Sequence, residues 1–336
     1  MKAIGYFEAG ALDRADALID LDVPMPAPGP QDLLVKVAAI SVNPVDTKIR
    51  SRRGATGDTP EVLGWDAVGE VVGCGSAVSG FAAGDRVYYA GALERPGSNA
   101  EYQLVDARIA AHAPLSLSAA EAAALPLTAI TAWELLFDRL GVREGGGEGQ
   151  ALLVVGAAGG VGSILVQLAR QLTKLTVVAT AARAESVKWV KGLGAHHVID
   201  HSQPLLPQLQ ALGIKDVELI ASLTHTDQHY PQYGDCIAPQ GRLGVIDDFG
   251  PLDMSVLKRK CASFHWEFMF TRSMFETADM AEQGKLLQRV ADLVDAGTLR
   301  STLGEHYGAI NAANLKRAHA LLESGKARGK LVLEGF

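Results

Sequence analysis

At 336 residues the chain is too long for one ordinary hydrophobic core, so its length points to two domains. Apolar residues make up 48% and charged residues 21%, the balance of a globular rather than a disordered protein. A net charge of −7 argues against nucleic acid as a partner, and no apolar run approaches the roughly 20 residues that span a bilayer.

The N-terminus, Met-Lys-Ala-Ile-Gly-Tyr-Phe-Glu, reaches an acidic residue within eight positions and lacks a signal-peptide core. Cys74, Cys236 and Cys261 form no pair motif and read as reduced, separate thiols. The expected setting is cytoplasmic, with no membrane partner.

The first ~115 residues read as short strands punctuated by Gly and Pro: Lys2–Tyr6, Leu33–Val42, Val62–Val72, Arg86–Ala90 and Ala100–Val105. This pattern predicts an all-β barrel or sandwich, with the Pro-rich stretch 24–30 as a surface connection. Arg50, Arg52 and Arg53 read as a solvated basic loop. Ser118-Ala-Ala-Glu121 has capping-box spacing, and Leu127–Leu140 continues as a helix stopped by Gly141.

From Ala151 the chain alternates. Strands Ala151–Val155, Thr176–Ala181, His197–Asp200, Val217–Leu223 and Arg242–Asp247 are separated by helices. Their unbroken Val/Ile/Leu runs predict burial on both faces, as in a doubly wound parallel sheet of Rossmann type. After Phe264 the alternation stops, leaving helices near Thr277–Asp295 and Ala312–Ser324 and a final strand Lys330–Leu333.

Ala157-x-Gly159-x-x-Gly162 follows the first of these strands and opens a helix. Gly159, Gly160, Val161 and Gly162 therefore form a candidate pyrophosphate cradle, because uncapped N–H groups and the positive helix end attract an anion. An NAD site places an acid about 20 residues on, at the end of the next strand. Here that strand ends in Thr180, and Arg183 follows with no acid before Glu185. Arg183 can fork onto a 2′-phosphate, which favours NADPH; the alternative is a solvated residue at a helix start.

The frame resembles the medium-chain dehydrogenase/reductase superfamily, and within it the zinc-free quinone oxidoreductase-like branch, over nearly the whole chain. The resemblance rests on Ser41-Val-Asn-Pro-Val-Asp-Thr-Lys48, Val62-Leu-Gly-Trp-Asp-Ala-Val-Gly-Glu70, Leu127-Thr-Ala-Ile-Thr-Ala-Trp133 and the ending Ser324-Gly-Lys-Ala-Arg-Gly-Lys-Leu-Val-Leu333. It implies an α/β architecture: a GroES-like β-barrel catalytic domain (1–124 and 268–336) and a Rossmann domain (125–267), with the active site in the cleft between them. A homodimer joined through the edge of the Rossmann sheet is implied as well.

The zinc alcohol dehydrogenases of the superfamily carry Cys where this chain has Asn43, and Gly-His-Glu where it has Gly64-Trp65-Asp66. Asn and Trp cannot replace Cys and His as zinc ligands, so no metal is expected. His225 and His229 lack the acid of a His-Glu-x-x-His pair, and the adjacent His196 and His197 would point to opposite faces of a strand, so these four read as ordinary histidines rather than ligands.

The resemblance places Asn43 beside the nicotinamide as a donor to the acceptor oxygen, with Asp46 structural. It places Thr131 at the nicotinamide amide and His201 near the adenosine phosphate, with Leu223 closing the cofactor set. Trp65, Tyr89, Trp266 and Phe270 are candidates for an apolar substrate pocket, and Lys330 for a phosphate contact. The expected activity is NADPH-dependent hydride transfer to a quinone or enone. The alternatives are a zinc-independent alcohol or aldehyde dehydrogenase and a non-catalytic NADPH-binding protein of the ζ-crystallin kind.

Overall fold

The computed structural model describes residues 1–336, which divide into two compact units, Met1–Ile130 with Phe270–Phe336 and Thr131–Met269.

The first unit opens with strands β1 (Lys2–Tyr6), β2 (Ile19–Asp22) and β3 (Asp32–Val42), then helix α1 (Pro44–Arg52). Strands β4 (Glu61–Val62), β5 (Asp66–Cys74), β6 (Arg86–Tyr89), β7 (Tyr102–Asp106) and β8 (Ala110–His112) follow, with helices α2 (Ala119–Ala123) and α3 (Pro126–Trp133). The second unit contains β9 (Ala151–Val155), α4 (Gly160–Leu172), β10 (Thr176–Thr180), α5 (Ala184–Gly192), β11 (His197–Ile199) and α6 (Leu205–Ala211). It continues through β12 (Val217–Ser222), α7 (Thr226–Cys236), β13 (Ile237–Val245) and β14 (Ser263–Trp266). The chain then completes the first unit with α8 (Glu282–Asp295), β15 (Leu303–His306), α9 (Ala312–Glu323) and β16 (Lys330–Glu334).

In the first unit β2-β1-β4 form a small antiparallel sheet, and β15-β16-β3-β5-β6-β8 form the main one, with β7 also pairing β3. The C-terminal β16 runs antiparallel to β3 with Leu331 opposite Val42, so the two ends of the sequence share one sheet. The second unit is a parallel six-stranded sheet in the order β11-β10-β9-β12-β13-β14. Strand β9, at its middle, is buried at every position, as its uninterrupted apolar run requires.

Several local expectations are corrected. The stretch Val62–Val72 is not one strand: Gly64 takes φ +104°, and a Cβ there would lie 2.5 Å from Ser98 Oγ. The basic loop is helix α1, started by Pro44 at its first position. Arg50 is consequently buried, paired with Glu323 of α9, rather than solvated. The parallel sheet has one strand more than the five expected, because Phe264 lies inside a sixth, β14. The expected helix Leu127–Leu140 changes after Trp133 to a wider π-helical turn, Glu134–Arg139. Ala119–Arg139 is also a 21-residue helical run apolar enough to cross a membrane, but 83% of its most apolar window is buried in the protein, as in a core helix.

Candidate active site

In the second unit the chain leaves β9 through Gly156 at φ +83°, a conformation that favours glycine. Its N–H donates to Thr180 Oγ1 at 3.2 Å, which ties the turn to the end of β10. Leu223, just past β12, donates its N–H to Val155 O at 3.1 Å and packs beside Gly156. Gly159 is the N-cap of α4 and offers no side chain to the helix N-terminus, leaving the first N–H groups for an anion. A Cβ on Gly162 would lie 2.5 Å from Ala157 Cα, whereas one on Gly159 would meet only Gly156 O, at 3.5 Å. The first glycine keeps strand and helix in contact; the second keeps the approach to the turn open. These residues fit a dinucleotide pyrophosphate.

Arg183 precedes α5 with its side chain 42% exposed, and its Nε lies 3.8 Å from Glu185. His201 meets His229 edge-on, with ring centroids 5.8 Å apart. Burial holds both imidazoles below their usual value, and the Arg183 charge acts on His201 in the same direction. No group of three His, Cys, Asp or Glu is placed to hold a metal ion.

In the first unit β3, β5 and β16 bring together Asn43, Asp66 and Lys330. Asp66 is fully buried, accepts three hydrogen bonds and pairs with an ammonium. Ser41 Oγ–H and Asn43 Nδ2–H reach its Oδ2 at 2.8 Å each, Lys330 Nζ reaches it at 3.0 Å, and the Leu127 N–H in the first turn of α3 reaches Oδ1 at 2.7 Å. Lys330 is 3% exposed and spends its other two N–H bonds on Val42 O (3.1 Å) and on Asn43 Oδ1. The remaining Asn43 amide hydrogen has only a long contact, 3.4 Å to Ser41 O.

Asp46 lies beneath this cluster and accepts the Asn43 backbone N–H at 2.8 Å. Its burial pushes the carboxyl up to about 7, a rise opposed by that hydrogen bond and the Lys330 charge and reinforced by the Asp66 charge. Asp46 therefore holds the backbone at Asn43, the structural role read from the sequence.

One candidate assignment changes. Lys330 is not a phosphate contact, because all its donors are used inside the first unit. Asn43, expected as a donor, has its oxygen and one N–H committed, which leaves the other N–H. The four candidate pocket aromatics have different settings. Trp65 and Phe270 meet edge-on at 6.2 Å and both are buried, with the Trp65 indole N–H donating to Ala92 O at 3.2 Å. Tyr89 is wholly buried in the barrel sheet, and its hydroxyl has no protein partner. Trp266 lies on edge strand β14, 55% exposed and stacked on Phe249 at 4.9 Å. Thr131 is 5% exposed on α3, one turn beyond Leu127.

Residues 29–115 match the family described as alcohol dehydrogenase GroES-like domain, and residues 193–333 the one described as zinc-binding dehydrogenase. A zinc-type alcohol dehydrogenase-like protein of Staphylococcus epidermidis is 38% identical over 336 residues, 99% of each chain. The chain belongs to the medium-chain dehydrogenase/reductase superfamily. A solved structure of a putative zinc-dependent alcohol dehydrogenase protein from Rhizobium etli is 54% identical, covers 100% of this chain and 98% of its own, and superposes with a TM-score of 0.97. The 2-methylene-furan-3-one reductase of Solanum lycopersicum is 30% identical over 341 residues, 99% of this chain and 79% of its own. This medium-chain dehydrogenase/reductase is an oxidoreductase with a GroES-like domain and a Rossmann sheet.

The zinc of the family description does not fit the residues present. Trp65 offers no lone pair, Asn43 is a poor zinc ligand, and the one carboxylate of the cluster already carries an ammonium that repels a dication. Sequence reading named Asn43 and Lys330 separately and gave Asp66 only as a missing ligand. The link between them was visible only as Gly-Trp-Asp and Gly-Lys-Leu-Val-Leu, motifs far apart in the chain.

Proposed function

We propose that the protein is an NADPH-dependent reductase that transfers hydride to a quinone or an α,β-unsaturated carbonyl compound without zinc. The observation that carries this reading is the Asn43–Asp66–Lys330 cluster: an amide and a carboxylate stand at positions compared above with the zinc-ligand motifs, and a buried ammonium beside them pairs with both. NADPH supplies the hydride when bound. The second unit's residues serve its binding: the N-terminus of α4 takes the pyrophosphate, and Arg183, with His201 near it, takes the 2′-phosphate.

Without a metal Lewis acid, an acceptor must spread the incoming charge itself, which a conjugated carbonyl or quinone does and a simple aldehyde does not. The remaining Asn43 N–H can donate to the developing oxyanion, a contribution of about 3 kcal/mol. The lycopersicum relative is named for reduction of such a conjugated ketone. Hydride adds to the conjugated carbon, the pair of electrons moves to oxygen, and a proton from solvent completes the reduced product. A second copy of the chain pairs along β14, the edge of the parallel sheet, in a homodimer.

The test is NADPH consumption with a benzoquinone and an enone, set against NADP⁺ reduction by ethanol. Turnover of the conjugated acceptors with little alcohol oxidation is expected. A protein that oxidises ethanol faster than it reduces either acceptor overturns the reading.

A further inference from the structure

We infer that Lys330 is a positioning residue for hydride transfer: a buried ammonium that fixes and polarises the Asn43 amide in a site that has lost its metal ligands. This rests on the reductase reading above and adds a role for a side chain that touches neither cofactor nor acceptor.

Strand register creates the contact. Strand β16 runs antiparallel to β3, pairing Leu331 with Val42, so Lys330 falls beside Asn43 although 287 residues separate them. Strand β5 lies on the other side of β3, pairing Asp66 with Ser41, which brings the carboxylate to the same end. An ammonium has donors only, so it must face the amide oxygen. That contact leaves one permitted orientation of Asn43, with Nδ2 turned to Asp66 at 2.8 Å. Positive charge on the oxygen side draws electron density from the amide and makes its remaining N–H a stronger donor, as in any chain of polarised hydrogen bonds.

Energetics argue that the arrangement is not there for stability. A buried ion pair stabilises a fold poorly compared with apolar residues of the same size. Lys330 is 3% exposed and Asp66 wholly buried, on strands whose other buried positions are mostly Val, Leu, Ile and Ala. The pair is nonetheless complete: three ammonium donors meet three acceptors, and the carboxylate meets four donors. What the pair gives is a fixed, charged amide.

The experiment compares Lys330→Met, Lys330→Arg and the double variant Asp66→Asn with Lys330→Met. The single Met variant strands the Asp66 carboxylate and can fail to fold, so the double variant, which removes both charges, carries the test. Thermal melting, NADPH affinity by fluorescence, kcat and KM for a benzoquinone, and the Asn43 side-chain amide signals in ¹⁵N-asparagine-labelled protein are measured. The double variant is expected to melt cooperatively and to keep its NADPH affinity. Its kcat should fall by about tenfold or more with KM little changed, and its Asn43 amide signals should move. Lys330→Arg, which keeps the cation, should recover part of kcat. A double variant with wild-type kcat and unmoved Asn43 signals overturns the inference, because Lys330 would then only neutralise Asp66. A wild-type protein that reduces no conjugated acceptor overturns the proposed function instead, and the Asn43 signals alone then decide the inference.

Discussion

Arg139 Nε donates to Glu267 Oε2 at 2.9 Å, and the carboxylate of Glu134 lies 3.9 Å from the same guanidinium. Both acids are almost wholly buried, so one partly exposed guanidinium faces two buried carboxyl groups. Burial, then repulsion from Glu134, pushes the Glu267 carboxyl up to about 9, against the opposing pull of Arg139. A folded-state value above the ordinary 4.5 gives stability that is complete at acid pH and is lost as pH rises from there through about 9. Glu267→Gln is therefore expected to melt several degrees above wild type at pH 9, an advantage of about 2 kcal/mol that shrinks toward pH 5. Calorimetry across that range checks it, and a difference that does not vary with pH refutes it.

Arg183 carries the expected preference for NADPH. Its contact with Glu185 is long, at 3.8 Å, between two partly exposed side chains, the kind of surface pair that contributes little. Arg183→Ala should weaken NADPH binding by about tenfold, or about 1.4 kcal/mol, and leave NADH nearly unchanged. Glu185→Gln should sharpen the preference by removing the competing anion. Fluorescence titrations of both cofactors measure this, and equal losses for NADPH and NADH would place the phosphate elsewhere.

How much of this was legible in the sequence depended on how local the determinant was. The turn at Ala157–Gly162 is built within a few residues of chain, so spacing alone exposed it. Helix α1 carries its own signals, Asn43 before Pro44 and Asp46 three residues on, but its cluster of arginines has the composition of a solvated loop. Lys330 and Asp66 reach Asn43 only through strand register, across 287 and 23 residues, and no local pattern encodes a contact of that kind. The π-helical turn was hidden because Glu134-Leu-Leu-Phe-Asp-Arg139 satisfies ordinary helical periodicity. Residue type alone does not encode that Trp266 is 55% exposed on an edge strand while Trp65 is wholly buried.

Trp266 and Phe268 are 55% and 46% exposed at and just beyond the edge strand β14, whose outer side has no strand beside it. An exposed edge with large apolar side chains invites pairing with a second copy. Trp266→Lys is expected to turn the proposed dimer into a monomer at micromolar concentration, while the parallel sheet keeps its fold. Sedimentation velocity distinguishes the two, and a wild-type protein that is itself monomeric removes the dimer from consideration.

Gly159 and Gly162 belong to one motif, but the structure gives them different jobs, and alanine should separate them. At Gly162 a methyl group would meet Ala157 backbone atoms at 2.5–2.6 Å, and backbone cannot step aside cheaply. Helix α4 would have to lift from β9, exposing part of an apolar face that includes Ile164, Leu165 and Leu168. Gly162→Ala should thus cost about 1–3 kcal/mol of stability, as overpacking does, before any cofactor is added. At Gly159 the backbone is extended, with φ −72°, and the methyl's one neighbour is 3.5 Å away, an ordinary contact. Gly159→Ala should leave the melting temperature of the free protein nearly unchanged, with a cost of about 1 kcal/mol or less for alanine at an N-cap. The same methyl would stand where a pyrophosphate must approach the backbone, so NADPH affinity should fall by about tenfold or more. Melting curves and cofactor titrations of both variants form a two-by-two comparison. Should Gly159→Ala bind NADPH as tightly as wild type, the turn is not the phosphate cradle, whatever the fate of Gly162→Ala.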